Sequence, residues 1–340
     1  MSQKEISVVI LNWNGAQMLR RFLPSVIEFS SEAHIVVADN GSTDDSLEML
    51  RNDFPEVETM AFDHNYGFAE GYNKVIKQIS TPYVVLLNDD VEVTPGWLVP
   101  LYAFMENHRE VAACQPKILS EVCRNRFEYA GAAGGFIDAF GYPYCRGRMM
   151  DRVEEDKGQY NTPCRVFWAT GAALFVRTET YLREGGFDWR FFAHMEEIDL
   201  CWRLRSRGYE IWCIPQSWVY HVGGGTLNKS NPQKTYLNFR NNQLLLYKNL
   251  PEAALSRVLC IRRVLDIVAA LKFLLCGQVS DAKAVLKAVH DFRKLRRYFE
   301  ADRAENLKKS VLKEIPEQNK GSLLVAFYLR GRKKYTDWFN

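Results

Sequence analysis

Three short aliphatic runs constrain this chain more than anything else in it: residues 6–11 (ISVVIL), 34–38 (HIVVA) and 83–87 (YVVLL). Each is rich in β-branched residues and almost free of polar positions. That suits strands covered on both faces better than strands with a wet side. Segments of helical character separate them, at about 16–29, 46–52 and 68–79. Strands alternating with helices argue for a parallel sheet with helices on both faces. The expected fold class is therefore α/β, with a Rossmann-like, mostly parallel central sheet flanked by helices.

Such sheets bind ligands just past the carboxyl ends of their strands, and there each run stops in polar residues. Asn12-Trp13-Asn14-Gly15 follows the first, Asp39-Asn40-Gly41-Ser42 the second and Asn88-Asp89-Asp90 the third. Asp39 and Asn40 can hydrogen-bond a planar ring, although these four residues are also ordinary turn chemistry. The absence of G-x-G-x-x-G after the first run, and of any G-x-x-x-x-G-K-[ST], counts against a dinucleotide-binding domain or a P-loop. Asp89 and Asp90 repel each other unless a cation joins them, and hard oxygen ligands suit Mg²⁺ or Mn²⁺. Capping ahead of the Pro95 turn is the plainer alternative. His64-Asn65-Tyr66-Gly67-Phe68-Ala69 leads into a helix, where free backbone N–H groups suit a phosphate.

More acids gather in residues 187–212 (FDWRFFAHMEEIDLCWRLRSRGYEIW), where Glu196 and Glu197 open a helix that Gly208 ends. Residues three or four apart share a helix face. Glu197 thus aligns with Leu200, Cys201 and Leu204, and Glu196 with Asp199 and Arg203. Glu197 is expected to face the interior or a cleft and Glu196 not to, with Asp199 and Arg203 paired across one turn. Acids at a helix N-terminus also have a simple dipole explanation.

Six stretches stand in a recognisable order and spacing: VVILNWNG at 8–15, VADNGSTDDS at 37–46, HNYGFAEGYN at 64–73, LLNDDVEV at 86–93, WATGAALFVR at 168–177 and GGFDWRFFAHMEEIDLCWRLRSRGY at 185–209. Together they resemble family 2 glycosyltransferases over about residues 5–250. The rhamnosyltransferase-like branch is nearest, and GGFIDAFGYPYCRGR at 134–148 is similar to it too. The resemblance implies a GT-A fold and an inverting enzyme of cell-surface polysaccharide synthesis. Such an enzyme moves a sugar from a nucleotide diphosphate donor, dTDP- or UDP-linked, to a hydroxyl of a glycan or lipid-linked saccharide.

The resemblance also implies roles. Asp39 meets the nucleobase edge with Asn12 and Asn40 nearby, and Asn65 and Gly67 face ribose and phosphates. Asn88-Asp89-Asp90 stands at the family's Asp-x-Asp motif, with Asp90 holding Mg²⁺ or Mn²⁺ and Asn88 a weaker ligand than the usual acid. Thr170-Gly171-Ala172 lies toward the acceptor. His221, ahead of a glycine run at 223–225, completes the metal and diphosphate site as a neutral imidazole under a closing loop. Glu197 is the base, one methylene longer than the family's Asp, and Glu196 orients the acceptor. The segment 117–164 reads as loops and short strands over the donor sugar, with Arg146 and Arg148 either contacting phosphate or acceptor or carrying surface charge.

Residues 1–250 form the transferase domain in this reading, and 251–340 a basic helical extension. The formal charge of +3 conceals an asymmetry, because residues 257–334 hold nineteen Lys/Arg against eight Asp/Glu. A basic tail on an acidic body suits an anionic surface. Residues 254–275 and 282–299 have amphipathic helical spacing, which fits peripheral contact with a membrane as well as plain helix packing. No nucleic-acid motif accompanies the charge. No run of about 18 apolar residues occurs and the start passes directly into a strand, so neither a span nor a leader is expected. Without spans or a Q-x-x-R-W motif, the enzyme is expected to be non-processive. The eight cysteines contain no C-x-x-C pair and read as reduced, buried thiols of a cytoplasmic protein, peripheral on the inner face of the cell membrane. The alternative function is a catalytically silent glycan- or membrane-binding module of the same fold.

Overall fold

A computed structural model describes residues 4–223, 231–312 and 314–339 of the chain. The three aliphatic runs fall in β1 (Ile6–Asn12), β2 (Ala33–Asp39) and β4 (Tyr83–Leu87), which are joined by β3 (Glu58–Ala61) in a parallel block ordered β3-β2-β1-β4. Their lack of a polar face has a direct cause. Val9, Val84 and Leu86 enter a core shared with α3 (Gly67–Ile76), while Val8, Ile10 and Val85 enter one on the other side. That second core is filled from α1 (Ala16–Phe29), α2 (Ser46–Asp53) and α4 (Leu98–Asn107).

The remaining strands are β5 (Val91–Val93), β6 (Val111–Ser120), the short β7 (Gly135–Ile137), β8 (Pro143–Cys145), β9 (Arg148–Met149) and β10 (Arg152–Val153), then β11 (Cys164–Arg165), β12 (Ala173–Arg177) and β13 (Glu210–His221). The short strands β7 to β10 make a separate four-stranded sheet. The other five complete a nine-stranded main sheet. There β12 runs antiparallel between β4 and β6, and β13 lies parallel to β6. The sheet is thus parallel where the aliphatic runs lie and mixed beyond them.

Residues 111–120 and 210–221 are longer strands than their sequences suggest, because Pro116 and Pro215 look like breakers. Both prolines sit where the β6–β13 register shifts, between Ile214 and Trp218, and an interrupted ladder tolerates a residue without an N–H. Arg146 and Arg148 are neither substrate contacts nor surface charges. Both are buried, Arg146 donating to the carbonyls of Ala133, Tyr160 and Thr162, and Arg148 to those of Tyr129 and Pro143. They hold the chain around the small sheet by its backbone.

After α5 (Thr178–Arg183) and α6 (Glu196–Ser206), the chain ends in α7 (Pro232–Asn249), α8 (Glu252–Leu275), α9 (Val279–Leu295), α10 (Glu300–Lys309) and α11 (Tyr335–Phe339). These helices are no loose tail. Glu317 pairs with Arg165 and Arg205, the Leu323 N–H donates to Asp138 at 2.8 Å, and Tyr335 and Trp338 pack on Tyr144. α8 reverses the expected amphipathic arrangement: it buries Arg262 and Asp266 and turns an aliphatic ridge to solvent. No helix among the described residues is long and apolar enough to cross a membrane. The cysteines are all free, and Cys123, Cys260 and Cys276 are exposed, contrary to a uniformly buried set.

Candidate active site

The strand-end residues form one hydrogen-bonded knot. The Asn12 amide donates to Asp39 Oδ2 at 2.9 Å and the Ser42 N–H to Asp39 Oδ1 at 2.9 Å, fixing a buried carboxylate. Asn40 Nδ2 donates to Asn65 Oδ1 at 3.0 Å and to the Gly67 carbonyl at 3.1 Å. Gly15 joins this knot to the next group, since a Cβ there would lie 2.5 Å from Asn12 Oδ1 and 2.3 Å from Asp89 Oδ2.

At the end of β4, burial and then the neighbouring Asp90 push the Asp89 carboxyl up to about 7. Asp90 Oδ1 lies 3.0 Å from His221 Nε2, and Asn88 Nδ2 lies 3.4 Å from the same nitrogen. His221 Nδ1 comes within 3.4 Å of Glu128 but without hydrogen-bond geometry. Burial opposes charge on this imidazole, yet Asp90 and then Glu128 outweigh it and raise His221 to about 10. The two carboxylates thus favour the charged imidazole, whereas the neutral form is the one that could bind a cation. Gly223 is the last described residue of the glycine run, and the remainder lies outside the described residues.

The Ala172 carbonyl accepts from the Asn88 N–H at 3.0 Å, which ties the acids of β4 to Thr170-Gly171-Ala172. Thr170 spends its polar groups on Gln115 and the Ala130 carbonyl. Gly171 is buried, and a Cβ there would press on the Phe68 ring at 3.3 Å and stand 3.9 Å from Glu197 Cβ. Glu196 and Glu197 do share the start of α6, but their division into charged and apolar faces fails. α6 is enclosed nearly all round, with Glu196, Asp199 and Arg203 buried and Glu197 half-buried. The Asp199–Arg203 pair does form, at 2.9 Å. Oε2 of each glutamate is sealed from solvent without a partner. Burial raises both carboxyls, and the charge of Glu197 raises Glu196 further.

Residues 7–172 match the family model of glycosyl transferase family 2. Over those residues the chain has the sequence pattern of this family. It is similar to the N-acetylglucosaminyl-diphospho-decaprenol L-rhamnosyltransferase of Mycobacterium tuberculosis, 26% identical over 237 residues that cover 64% of this chain and 75% of the relative. Among solved structures it superposes on GalNAc-T7 with UDP, GalNAc and Mn²⁺ at a TM-score of 0.52 and 21% identity, covering 64% of this chain but only 42% of that one. The mannosyltransferase PcManGT of Pyrobaculum calidifontis, in complex with GDP-Man and Mn²⁺, aligns at a TM-score of 0.51 and 14% identity over 91% of this chain and 88% of that one. The glycosyltransferase thus has the expected GT-A architecture.

Two features of this glycosyltransferase escape its sequence. The N–H groups at the start of α3 are not free for a phosphate: Tyr66 N donates to Asn40 Oδ1, Gly67 N to Asn65 Oδ1, and Phe68 N and Ala69 N to the Phe192 carbonyl. Asn65 and Gly67 shape this corner through internal contacts, and a Cβ on Gly67 would strike the Phe192 ring at 2.5 Å. The second feature is the loop before the acid pair. Phe192, His194 and Met195 all have positive φ, at 65°, 70° and 74°, a conformation that side chains resist and that clusters at functional sites.

Asn241 on α7 holds the loop in place. Its buried amide meets the carbonyls of Phe191, Ala193 and His194 at 2.7–3.0 Å, and Arg240 meets those of Arg190 and Phe191. Only the polar stretch RNN in a helix with many leucines hints at this. Asn241→Ala is expected to lower turnover ~10-fold or more by loosening the acid pair, with donor affinity unchanged in calorimetry. An equal loss in both measurements would place the effect in the general fold.

Proposed function

We propose that this glycosyltransferase is an inverting, non-processive enzyme acting at the inner face of the cell membrane. It transfers a sugar, rhamnose in the first instance, from a dTDP- or UDP-linked donor to a hydroxyl of a lipid-linked saccharide. The single observation that carries the reading is Glu197: a half-buried carboxylate with a sealed, unpartnered oxygen, set opposite Gly171 and linked through Ala172 to the acids of β4. An inverting transfer needs one base on the acceptor side as the diphosphate leaves on the other. The decaprenol-linked substrate and rhamnose named for the mycobacterial relative support the acceptor class and the sugar. In this reading residues 1–250 are the transferase domain and 251–340 a helical extension that braces it.

Asp39 would meet the nucleobase, with Asn12 and Asn40 holding its pocket. Asn65 and Gly67 would set the loop beside the ribose, and Asn88 and Asp89 would flank the diphosphate. Thr170, Gly171 and Ala172 would leave room for the acceptor, which Glu196 orients. The Asp90 carboxylate and His221 imidazole converge on one point, a hard-oxygen and nitrogen pair that suits Mg²⁺ or Mn²⁺. Among the described residues no three His, Cys, Asp or Glu side chains stand ready to bind a metal alone, so Asp90 and His221 are the side chains that would hold the cation. Such a cation stabilises the departing diphosphate. The Mn²⁺ named with GalNAc-T7 and PcManGT supports this assignment.

Asp90→Ala is expected to weaken binding of a nucleoside diphosphate in Mn²⁺ by about tenfold or more, and to leave metal-free binding nearly unchanged. A variant that binds the nucleotide in Mn²⁺ as tightly as its parent would place the cation elsewhere. The pH profile gives a second test. Burial raises the Glu197 carboxyl to about 7, and a protonated carboxyl cannot take a proton from the acceptor. Transfer should therefore rise as pH climbs through about 7. A rate that stays flat across this range would remove the Glu197 carboxyl from the proton transfer.

A further inference from the structure

α8 presents to solvent the residues a helix normally hides. Val264, Ile267, Val268, Leu271, Leu274 and Leu275 recur at spacings of three and four and form one ridge, with Val264 57%, Leu271 54% and Leu275 90% exposed. The opposite side of the helix is polar and buried. There Arg262 and Asp266 pair at 2.9 Å, Gln243 donates to Asp266, and Arg262 also reaches the Phe140 carbonyl. A buried ion pair contributes little by itself to stability, so this inversion leaves a large apolar face in search of a cover.

The charge around the ridge identifies the cover. Between residues 253 and 280 the only acid is Asp266, which is buried. Arg257 stands two helical turns before Val264 in line with the ridge, and Arg263 and Lys272 flank it on either side. Lys272 Nζ lies 5.7 Å from the ring of Tyr328, which brings this exposed aromatic and Leu329 to the edge of the patch. A second copy of the chain would set the same cations against each other across a two-fold axis with no acid to answer them. An anionic bilayer answers both features at once: the ridge enters the acyl boundary and the long cationic side chains stay among the headgroups.

We propose that the outer face of α8, edged by Tyr328, lies in the plane of an anionic membrane and orients the enzyme on it. The purpose of this docking rests on the lipid-linked acceptor proposed above. A relay of contacts leads from the back of α8 to the acid pair. Behind α8, Phe140 adjoins Gly141, whose carbonyl accepts from Asn242, and Asn242 meets Met195 directly before the acid pair. The ridge thus backs the wall of the acceptor side, so that a saccharide on a lipid carrier would reach Glu197 from the bilayer surface.

The test is co-sedimentation of the full chain with vesicles of phosphatidylcholine alone or mixed with phosphatidylglycerol. The parent should bind the mixed vesicles and bind phosphatidylcholine ~10-fold more weakly. Val268→Glu/Leu271→Glu/Leu275→Glu should reduce binding to mixed vesicles by ~10-fold or more, with circular dichroism and transfer to a water-soluble acceptor unchanged. Arg257→Gln/Arg263→Gln/Lys272→Gln should lose the preference for phosphatidylglycerol. Parent protein that sediments with neither vesicle, or a glutamate variant that binds like its parent, would overturn the proposal. So would a parent dimer in analytical ultracentrifugation that the glutamate variant makes monomeric. Failure of the parent to transfer to any acceptor would refute the catalytic reading and leave the vesicle result standing.

Discussion

Glu197→Gln is expected to abolish transfer, with turnover down by ~10²–10⁴-fold, while the donor binds as before. The amide keeps the size of the carboxylate and cannot accept the proton of the attacking hydroxyl. Its neighbours in the structure are Gly171 and the start of α6, not the knot around Asp39 or the Asp90–His221 pair, so the nucleotide should not sense the change. The fold should not suffer either, because Glu197 Oε2 has no hydrogen bond to lose. Single-turnover transfer combined with calorimetric nucleotide titration separates the two effects. Normal turnover in the variant would remove Glu197 from the mechanism.

The largest expected loss of stability comes from Asp199→Ala. Asp199 Oδ2 accepts from Arg203 at 2.9 Å and Lys248 at 2.8 Å, and Oδ1 accepts from Asn249 at 2.8 Å. Burial disfavours its charge, but Lys248 and then Arg203 outweigh that and hold the carboxyl below its usual range. Removing it leaves two buried cations with only Asp188 near Lys248 to answer them, a cost of roughly 3–5 kcal/mol. Chemical denaturation measures it. Adding Lys248→Met to Asp199→Ala should recover a good part, since the pair is then replaced and not merely broken. A loss below about 1 kcal/mol in the single variant would mean that water reaches the cluster.

Much of this fold can be read from the sequence because its signals are local. The strands through 6–11, 34–38 and 83–87 are buried on both faces, so each announces itself as an aliphatic run, and the polar residues that stop them are those that converge at the sheet's edge. The aspects missed are non-local. Pro116 and Pro215 hide two long strands because only the pairing of one with the other shows where a missing N–H does no harm. The faces of α6 are hidden from the sequence for a similar reason. Helical spacing tells which residues share a side, whereas burial of the charged side depends on Lys248 and Asn249 of α7. Glu128 and Asn241 reach the site from segments whose own periodicity gives no warning.

The return of residues 317–338 to the small sheet bears on how the protein is made. Glu317 neutralises Arg165 and Arg205, and the Leu323 amide caps Asp138, within the part of the chain that carries the chemistry. These partners are among the last described residues to leave the ribosome. Domains usually fold as they emerge, but here Arg165, Arg205 and Asp138, although they have nearer partners in Glu210, Tyr209 and Tyr142, each wait for one more until residues 317–323 are made. The nascent chain should therefore reach its full protease resistance only once these residues have emerged, with activity appearing at the same moment.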